Sequence, residues 1–347
     1  MAFWIDTEDW HTAGEPFRIV PKLPDGSLPS SRTVAQRRLD ILAAGASHPL
    51  NRLRESLCHE PRGHADMYGG FITPPDDDKA DFGVLFWHKD GFSTACGHGT
   101  IALGYWALMK GIVETPKQDQ EVKIVIDVPS GRVTARVMVK DGKPVYADFY
   151  NVPSYPLAQA LRVNITSRGG MQLKVDLAFS GAVYVSIDAE EQLKMKVEPE
   201  NTREFIRLGR EIKAALGTRA HHGEYDCYGV IFYQEEDGER DRLARAGEKV
   251  IRQKNITIFA DGQVDRSPCG SGTSARLALL NVQGRSGKLI HRSIIGSEFE
   301  GEVRSEYVED GAATAVLTTV RGEARLCGKM SFFIDPDEPI YPGFLLR

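Results

Sequence analysis

The chain has 347 residues, 41% of them hydrophobic and 26% charged, a balance typical of a globular protein with a sizeable core. Its formal net charge is −5 at pH 7, so it offers no basic field for a phosphate backbone and nucleic acid is not an expected partner. The length suits two domains of ordinary size.

Strand-like runs dominate the chain from its N-terminus onward. Short runs rich in β-branched residues predict strands at 84–87, 122–126, 133–139, 183–187, 229–233 and 256–259. The segment 234–254 is dense in charge and predicts a solvated loop or a surface helix. We therefore expect a fold rich in β-sheet.

A domain boundary is expected near residues 151–156, where two prolines interrupt the strand pattern. We predict an N-terminal domain over residues 1–153 and a C-terminal domain over residues 154–327. The remaining segment, about residues 328–347, is a candidate to return to the N-terminal domain.

Helices are fewer and fall into two kinds. An amphipathic pattern predicts a helix over 202–216 that stops at Gly217, and a second such helix is predicted over 31–42. The segments 100–109 and 273–280 are instead apolar on nearly all faces, and a helix of that kind must be enclosed by protein. Each half is therefore predicted as a β-sheet wrapped around one buried helix.

Both predicted buried helices follow the same phrase, Cys-Gly-x-Gly-Thr-x-Ala, which begins at Cys96 and again at Cys269, half a chain length apart. The repeat predicts two related domains that face one another, each offering one cysteine to a shared cleft. A helix N-terminus lowers the pKa of a cysteine placed there. The glycines let backbone N–H groups approach a ligand closely.

Two such cysteines on opposite sides of one carbon would suit a racemase that needs no cofactor. One thiolate would remove the α-proton while the other thiol protonates the opposite face, and backbone N–H groups would stabilise the charged carboxylate. His98 is placed to reach the substrate, and Asp265 could hold an ammonium or ring nitrogen. The alternatives are a capping or core histidine at His98 and an Asx turn at Asp265.

The other cysteines, Cys58, Cys227 and Cys327, are predicted to be small buried hydrophobic residues. The odd number of cysteines and an N-terminus without a secretion signal indicate no disulfide framework and a cytoplasmic location. Cysteine and histidine spacings do not close a tetrahedral zinc site, so no metal is expected. The longest apolar stretch, 101–109, is too short for a bilayer, so no membrane partner is expected.

Taken together, the motifs resemble those of the proline racemase family over nearly the whole chain. The phrases that carry the resemblance lie at 11–20, 60–69, 96–99, 265–273 and 296–299. The resemblance implies an α/β (α+β) fold like that of diaminopimelate epimerase, with two pseudosymmetric domains, and commonly a homodimer. It also implies roles at seven residues: acid/base catalysis by Cys96 and Cys269, carboxylate binding by Gly97, His98, Gly270 and Ser271, and a contact to the ring nitrogen by Asp265.

The family contains proline racemases, 4-hydroxyproline 2-epimerases and trans-3-hydroxyproline dehydratases. Dehydratases typically carry threonine in place of the second cysteine, so Cys269 favours inversion at Cα of proline or hydroxyproline. The segments 11–20 and 60–69 resemble the dehydratases as closely as the racemases, which keeps dehydration as the alternative. A non-catalytic amino-acid-binding protein would not need both thiols, and diaminopimelate epimerase matches less well around Cys269.

Overall fold

The computed structural model describes residues 1–236, 249–308 and 314–346, and the chain divides into two compact units. Unit 1 contains Met1–Ala147 and Glu323–Arg347, so the C-terminal segment belongs to the same unit as the N-terminus. Unit 2 contains Asp148–Gly322.

Unit 1 is a twisted sheet with three helices. Its elements are β1 (Phe3–Thr12), β2 (Glu15–Val20), α1 (Val34–Ala44), α2 (Pro49–Cys58), β3 (Tyr68–Thr73), β4 (Phe82–His88), β5 (Gly91–Phe92), α3 (Gly97–Met109), β6 (Gln120–Val128), β7 (Gly131–Lys140), the first part of β8 (Lys143–Tyr150) and β18 (Ala324–Ile334). Strand β1 pairs antiparallel with both β18 and β2, and β3 with β4, β4 with β5 and β6 with β7 are also antiparallel. The pairs β2–β3 and β4–β6 are parallel.

Unit 2 repeats this arrangement. Its elements are β9 (Tyr155–Ile165), β10 (Met171–Phe179), β11 (Val183–Asp188), α4 (Ala189–Leu193), α5 (Thr202–Leu216), β12 (Cys227–Glu235), β13 (Val250–Phe259), β14 (Gln263–Asp265), α6 (Gly270–Val282), β15 (Lys288–Arg292), β16 (Glu298–Val308) and β17 (Thr314–Gly322). Strand β10 pairs antiparallel with β9 and β11, and β12–β13, β13–β14, β15–β16 and β16–β17 are antiparallel too. The pairs β11–β12 and β13–β15 are parallel.

The order of parallel and antiparallel pairs is thus the same in both units, with β9 in the position of β18. Helices occupy matching places: α1 and α2 precede β3, α4 and α5 precede β12, and α3 and α6 each precede the strand that returns parallel to the sheet. The expected α/β fold class, with two pseudosymmetric halves, is confirmed.

The two helices that begin with the repeated phrase are buried as predicted. All residues of α3 from Gly97 to Leu108 are buried, and the helix packs against β1, β2, β6, β7 and β18. Residues of α6 from Gly270 to Leu280 are buried against β9, β10, β11, β16 and β17. Each helix starts three residues earlier than its apolar run, directly after its cysteine, because the two glycines and the residue between them already have helical conformation.

Of the other predicted elements, α5 has the expected bounds and ends at Gly217, whose φ is +50°. Helix α1 begins at Val34, since the Thr33 side chain accepts a hydrogen bond from the Gln36 N–H at 3.2 Å. Helix α2 was not predicted. The prediction for 234–254 is wrong at both ends, which belong to β12 and β13, and its middle lies outside the described residues.

Candidate functional site

Cys96 is the N-cap of α3 and has an extended backbone, with φ −156° and ψ 101°. Its Sγ accepts a hydrogen bond from the Gly99 N–H at 3.2 Å, one of the amide groups that the start of a helix leaves unpaired. The residue is only 5% exposed. The sulfur therefore lies against the positive end of the helix, where a thiolate is favoured.

His98 lies beside this sulfur. Its ring nitrogens are 3.5 Å and 3.6 Å from Cys96 Sγ, and its ring packs edge-on against Phe17 and Tyr68. The His98 carbonyl accepts a hydrogen bond from Thr12 Oγ1 at 2.8 Å. His98 is thus a buried residue with a core environment, the alternative considered above, and it also contacts the first cysteine.

Cys269 is the N-cap of α6 but has a different backbone conformation, with φ +66°. An L-residue rarely adopts such a value, and its cost is of order 1–3 kcal/mol. Neighbouring hydrogen bonds hold it there: the Cys269 N–H donates to Ser267 Oγ at 3.1 Å, and the Cys269 carbonyl accepts from the Thr273 N–H at 2.8 Å. Strain of this kind at a cysteine is typical of a functional position.

The environment of the Cys269 thiol favours its protonated form. Burial, followed by the nearby carboxyl of Asp265, raises the pKa of Cys269 well above its usual value. The Gly272 N–H and the hydroxyl of Tyr184, which lies 3.7 Å from Sγ, act in the opposite direction. The surroundings of Cys269 therefore favour the thiol over the thiolate.

Asp265 ends β14 and is 4% exposed. Its Oδ1 accepts hydrogen bonds from the Ser267 N–H at 2.8 Å and from Ser267 Oγ at 2.7 Å, and its carboxyl lies near the Cys269 thiol. The Asx turn considered as an alternative is therefore present. Burial raises the pKa of this carboxyl. Asp265 thus supports the turn that leads into Cys269, and its predicted contact with substrate stays a prediction.

Ser271 and Gly270 form the first turn of α6. Ser271 Oγ lies 2.7 Å from the hydroxyl of Tyr184, and the Ser271 carbonyl accepts a hydrogen bond from Ser180 Oγ at 2.8 Å. Tyr184, which contacts Ser271 and Cys269, was missed from the sequence. It lies in the predicted strand 183–187, where an aromatic residue is an ordinary packing residue, so the sequence held no signal for it.

The second glycine of each motif is required by its closeness to the sulfur. A Cβ on Gly99 would lie 2.7 Å from Cys96 Sγ, and a Cβ on Gly272 would lie 2.8 Å from Cys269 Sγ. Gly97 and Gly270 begin their helices directly after the cysteines. Within each unit, the structure thus brings together the cysteine and its predicted neighbours, Gly97 and His98 in unit 1 and Asp265, Gly270 and Ser271 in unit 2.

The remaining cysteines differ from this pair. Burial raises the pKa of Cys58 to about 12 and that of Cys227 to about 11, so both are inert thiols. Cys327 is exposed in β18, which makes its predicted burial wrong: the pairing of β18 with β1 shifts register at this residue. Among residues 1–236, 249–308 and 314–346, no three His, Cys, Asp or Glu side chains are grouped to hold a metal ion.

In the same described part of the chain, none of the helices has the length and apolar content needed to cross a bilayer.

Comparison with known sequences identifies the class to which this fold and these motifs belong. A family model described as proline racemase matches residues 8–345. The chain belongs to the proline racemase family.

Relatives in this family carry different activities. The chain is 38% identical over 349 residues to a trans-3-hydroxy-L-proline dehydratase of Bacillus thuringiensis, covering 98% of this chain and 97% of the relative. It is 35% identical over 356 residues to a 3-hydroxyproline 2-epimerase of Burkholderia multivorans, covering 99% and 98%. A crystal structure of a hydroxyproline epimerase from Agrobacterium vitis, with bound trans-4-hydroxy-L-proline, matches with a TM-score of 0.86 at 26% identity, covering 100% and 97%.

These names agree with both enzyme classes expected from the sequence, an isomerase as the main interpretation and a lyase as the alternative.

Proposed function

We propose that this protein inverts the α-carbon of proline or hydroxyproline by acid/base catalysis with Cys96 and Cys269, without a cofactor. The observation that carries the proposal is the repeated motif, since each cysteine occupies the N-cap position of the buried central helix of its own unit. Each sulfur therefore lies beside backbone N–H groups that have no partner within the helix, the environment that a carboxylate ligand and a reactive thiol both need.

The proposed reaction moves one proton from the substrate to the protein and one proton from the protein to the substrate. A thiolate takes the α-proton and becomes a thiol, while the other thiol gives its proton to the opposite face of the same carbon and becomes a thiolate. The first-turn N–H groups of α3 and α6, at Gly97, His98, Gly270 and Ser271, would bind the substrate carboxylate. They would also stabilise the charge that spreads into it as the α-proton leaves. Asp265 would contact the ring nitrogen.

The starting protonation states follow from the surroundings of the two thiols. Cys269 is kept protonated by burial and by Asp265, whereas Cys96 stands beside an imidazole. We infer that Cys96 is the base and Cys269 the acid when the resting enzyme meets its first substrate. The roles reverse for a substrate of the opposite configuration.

Dehydration of trans-3-hydroxy-L-proline is the second candidate, because the Bacillus thuringiensis relative carries that name at 38% identity. In this reaction Cys96 would remove the α-proton and Cys269 would protonate the 3-hydroxyl, which leaves as water. Cys269 favours inversion, because the family resemblance implies that dehydratases typically carry threonine in place of the second cysteine.

Proton NMR in deuterated water tests the two candidates. Purified protein without added cofactor would be incubated separately with L-proline, trans-4-hydroxy-L-proline and trans-3-hydroxy-L-proline. Deuterium at Cα together with inversion supports the proposal and selects the substrate. Conversion of the 3-hydroxy compound to a cyclic imine establishes the dehydratase instead. Cys96→Ser and Cys269→Ser serve as paired variants, and inversion that survives in either one contradicts the two-thiol mechanism.

We also propose that the protein is a homodimer in a cytoplasmic location. We propose that residues 1–153 form one catalytic domain and residues 154–327 the other, with the segment from about residue 328 returning to the first domain. The family resemblance supports the dimer. The five cysteines without a disulfide framework support a reducing compartment. Light scattering on the eluting chromatography peak measures the oligomeric state, and a monomeric mass contradicts the dimer.

A further inference from the structure

Three buried side chains of unit 2 form a chain of polar contacts that ends at Cys269. The Tyr184 hydroxyl lies 2.7 Å from Ser271 Oγ and 3.7 Å from Cys269 Sγ. Tyr184, Ser271 and Cys269 are 1%, 2% and 5% exposed, so water competes little for these contacts. Ser180 fixes the backbone of this turn through its 2.8 Å hydrogen bond to the Ser271 carbonyl.

The hydrogen bonds that link Ser271, Tyr184 and Cys269 can point in either direction without movement of the heavy atoms, because a hydroxyl both donates and accepts. When Cys269 is a thiol, its S–H donates to the Tyr184 oxygen, and the Tyr184 O–H donates to Ser271 Oγ. When Cys269 is a thiolate, the Ser271 O–H donates to the Tyr184 oxygen, and the Tyr184 O–H donates to Sγ. A buried thiolate without such a donor would be costly.

The importance of the Tyr184 hydroxyl as a donor follows from the effects of the other groups near Cys269 on the thiolate. The Asp265 carboxyl disfavours a negative sulfur, and the Gly272 N–H favours it. Tyr228, which is partly buried, packs against the same cluster, with its ring 5.7 Å from that of Tyr184. Of the side chains whose effect on the Cys269 thiol is resolved, the Tyr184 hydroxyl is thus the one that stabilises the thiolate.

We propose that Tyr184 is a positioning residue that allows Cys269 to change between acid and base in successive turnovers. The inference rests on the proposed function, in which Cys269 becomes a thiolate each time it gives up its proton. When Cys96 changes between thiol and thiolate, its partner is instead the His98 ring, whose Nδ1 lies 3.5 Å from Cys96 Sγ. The balance between the two forms of the free enzyme, with the negative charge on Cys96 or on Cys269, therefore depends on Tyr184.

Residue-specific alkylation tests this balance, because iodoacetamide reacts with the thiolate and not with the thiol. Native wild-type protein and Tyr184→Phe would be labelled over time at neutral pH, and the label on each cysteine peptide measured by mass spectrometry. We expect the ratio of Cys269 to Cys96 labelling to fall about tenfold in Tyr184→Phe, the effect of one hydrogen bond to a charged group. An unchanged ratio overturns the inference.

Tyr155→Phe is the matched control, because it removes a tyrosine hydroxyl of the same unit that lies 2.8 Å from His222 Nε2. Its labelling ratio should equal that of the wild type, and a fall as large as in Tyr184→Phe would also overturn the inference. Labelling needs no turnover, so this result stands apart from the NMR test of the proposed function.

Kinetics supply a second readout if inversion is observed. A shift between the two free-enzyme forms moves the KM values for the two Cα configurations in opposite directions, while the equilibrium constant fixes the ratio of their kcat/KM values. A purely structural role of Tyr184 would move both KM values in the same direction, which contradicts the proposal.

Discussion

At the scale of single residues, the two halves of the repeat have diverged at the one variable position between the glycines. His98 places an imidazole beside Cys96, whereas Ser271 connects Cys269 to the Tyr184 hydroxyl. The backbone differs as well, since Cys96 is extended and Cys269 has φ +66°. Two cysteines at equivalent positions therefore have different surroundings, which suits the proposed division of the roles of base and acid.

The second glycine of each motif provides the first prediction. Gly99→Ala places a Cβ 2.7 Å from Cys96 Sγ and 2.6 Å from the Phe17 ring, and Gly272→Ala places one 2.8 Å from Cys269 Sγ. The sulfur must move, and a misplacement near 1 Å costs on the order of 100-fold in rate. We expect each variant to lose about that factor in deuterium exchange at Cα, measured by NMR.

The folded fraction of both variants, followed by circular dichroism, separates this effect from unfolding. Overpacking costs roughly 1–3 kcal/mol, which leaves a protein of ordinary stability folded at room temperature. Exchange at the wild-type rate in folded Gly99→Ala would show that the position of the Cys96 sulfur does not limit the reaction.

At the scale of elements, the sequence predicted best where one physical requirement dominates. Helix α5 has the predicted bounds because its apolar stripe and its terminal glycine agree. Helix α2 was missed because it is short and half polar, and it depends on a His48 cap and on Pro49 at its first position. The Tyr184 contact was also not predictable, since it depends on which strand passes beneath the first turn of α6.

The packing of α3 against its sheet provides the second prediction. A Cβ on Gly104 would lie 2.9 Å from both Ala135 Cβ and Val137 Cγ2 of β7. Alanine gains up to about 1 kcal/mol in helix propensity, but the Ala135 Cβ is fixed to its strand and cannot move aside. Overpacking therefore exceeds this gain, and we expect Gly104→Ala to lower the free energy of unfolding by roughly 1–2 kcal/mol in urea titrations.

Gly328→Ala is the matched control on β18. A Cβ at this position meets no atom within 4 Å, and its φ lies outside the left-handed region. Its unfolding free energy should stay within about 0.5 kcal/mol of the wild type. Equal stability of Gly104→Ala and Gly328→Ala would mean that α3 is less tightly enclosed than its contacts indicate.

At the scale of the whole molecule, a repeat of seven residues in the sequence corresponds to a repeat of the entire strand order. The phrase was enough to predict two related halves with one buried helix each, because a helix without a polar face has to be enclosed. It was not enough to predict the partners of the strands. Parallel pairs such as β4–β6 and β13–β15 join segments distant in sequence, and only the packing of the intervening helix determines them.

The buried His291 of unit 2 gives a prediction for the stability of the molecule in acid. His291 is fully buried in β15, its Nδ1 lies 2.8 Å from Thr273 Oγ1, and burial together with the nearby Arg276 lowers its pKa to about 3. The unfolded chain takes up this proton near pH 6.5, so between pH 6.5 and 3 it binds more protons than the folded chain. Stability is therefore expected to fall on acidification through this range, by up to roughly 4 kcal/mol from His291.

Urea unfolding at pH 7.5 and pH 5, compared between the wild type and His291→Asn, isolates this contribution. Asparagine keeps a hydrogen-bond donor for Thr273 Oγ1, whose own proton goes to the Cys269 carbonyl at 2.7 Å, and it has no proton to take up, so the variant should lose less stability between the two pH values than the wild type. Asp265 acts with the opposite sign, because its raised pKa stabilises the folded form in acid, and it contributes equally to both proteins. The same loss in His291→Asn as in the wild type would show that other groups, and not the neutral imidazole beneath α6, set the acid limit of the fold.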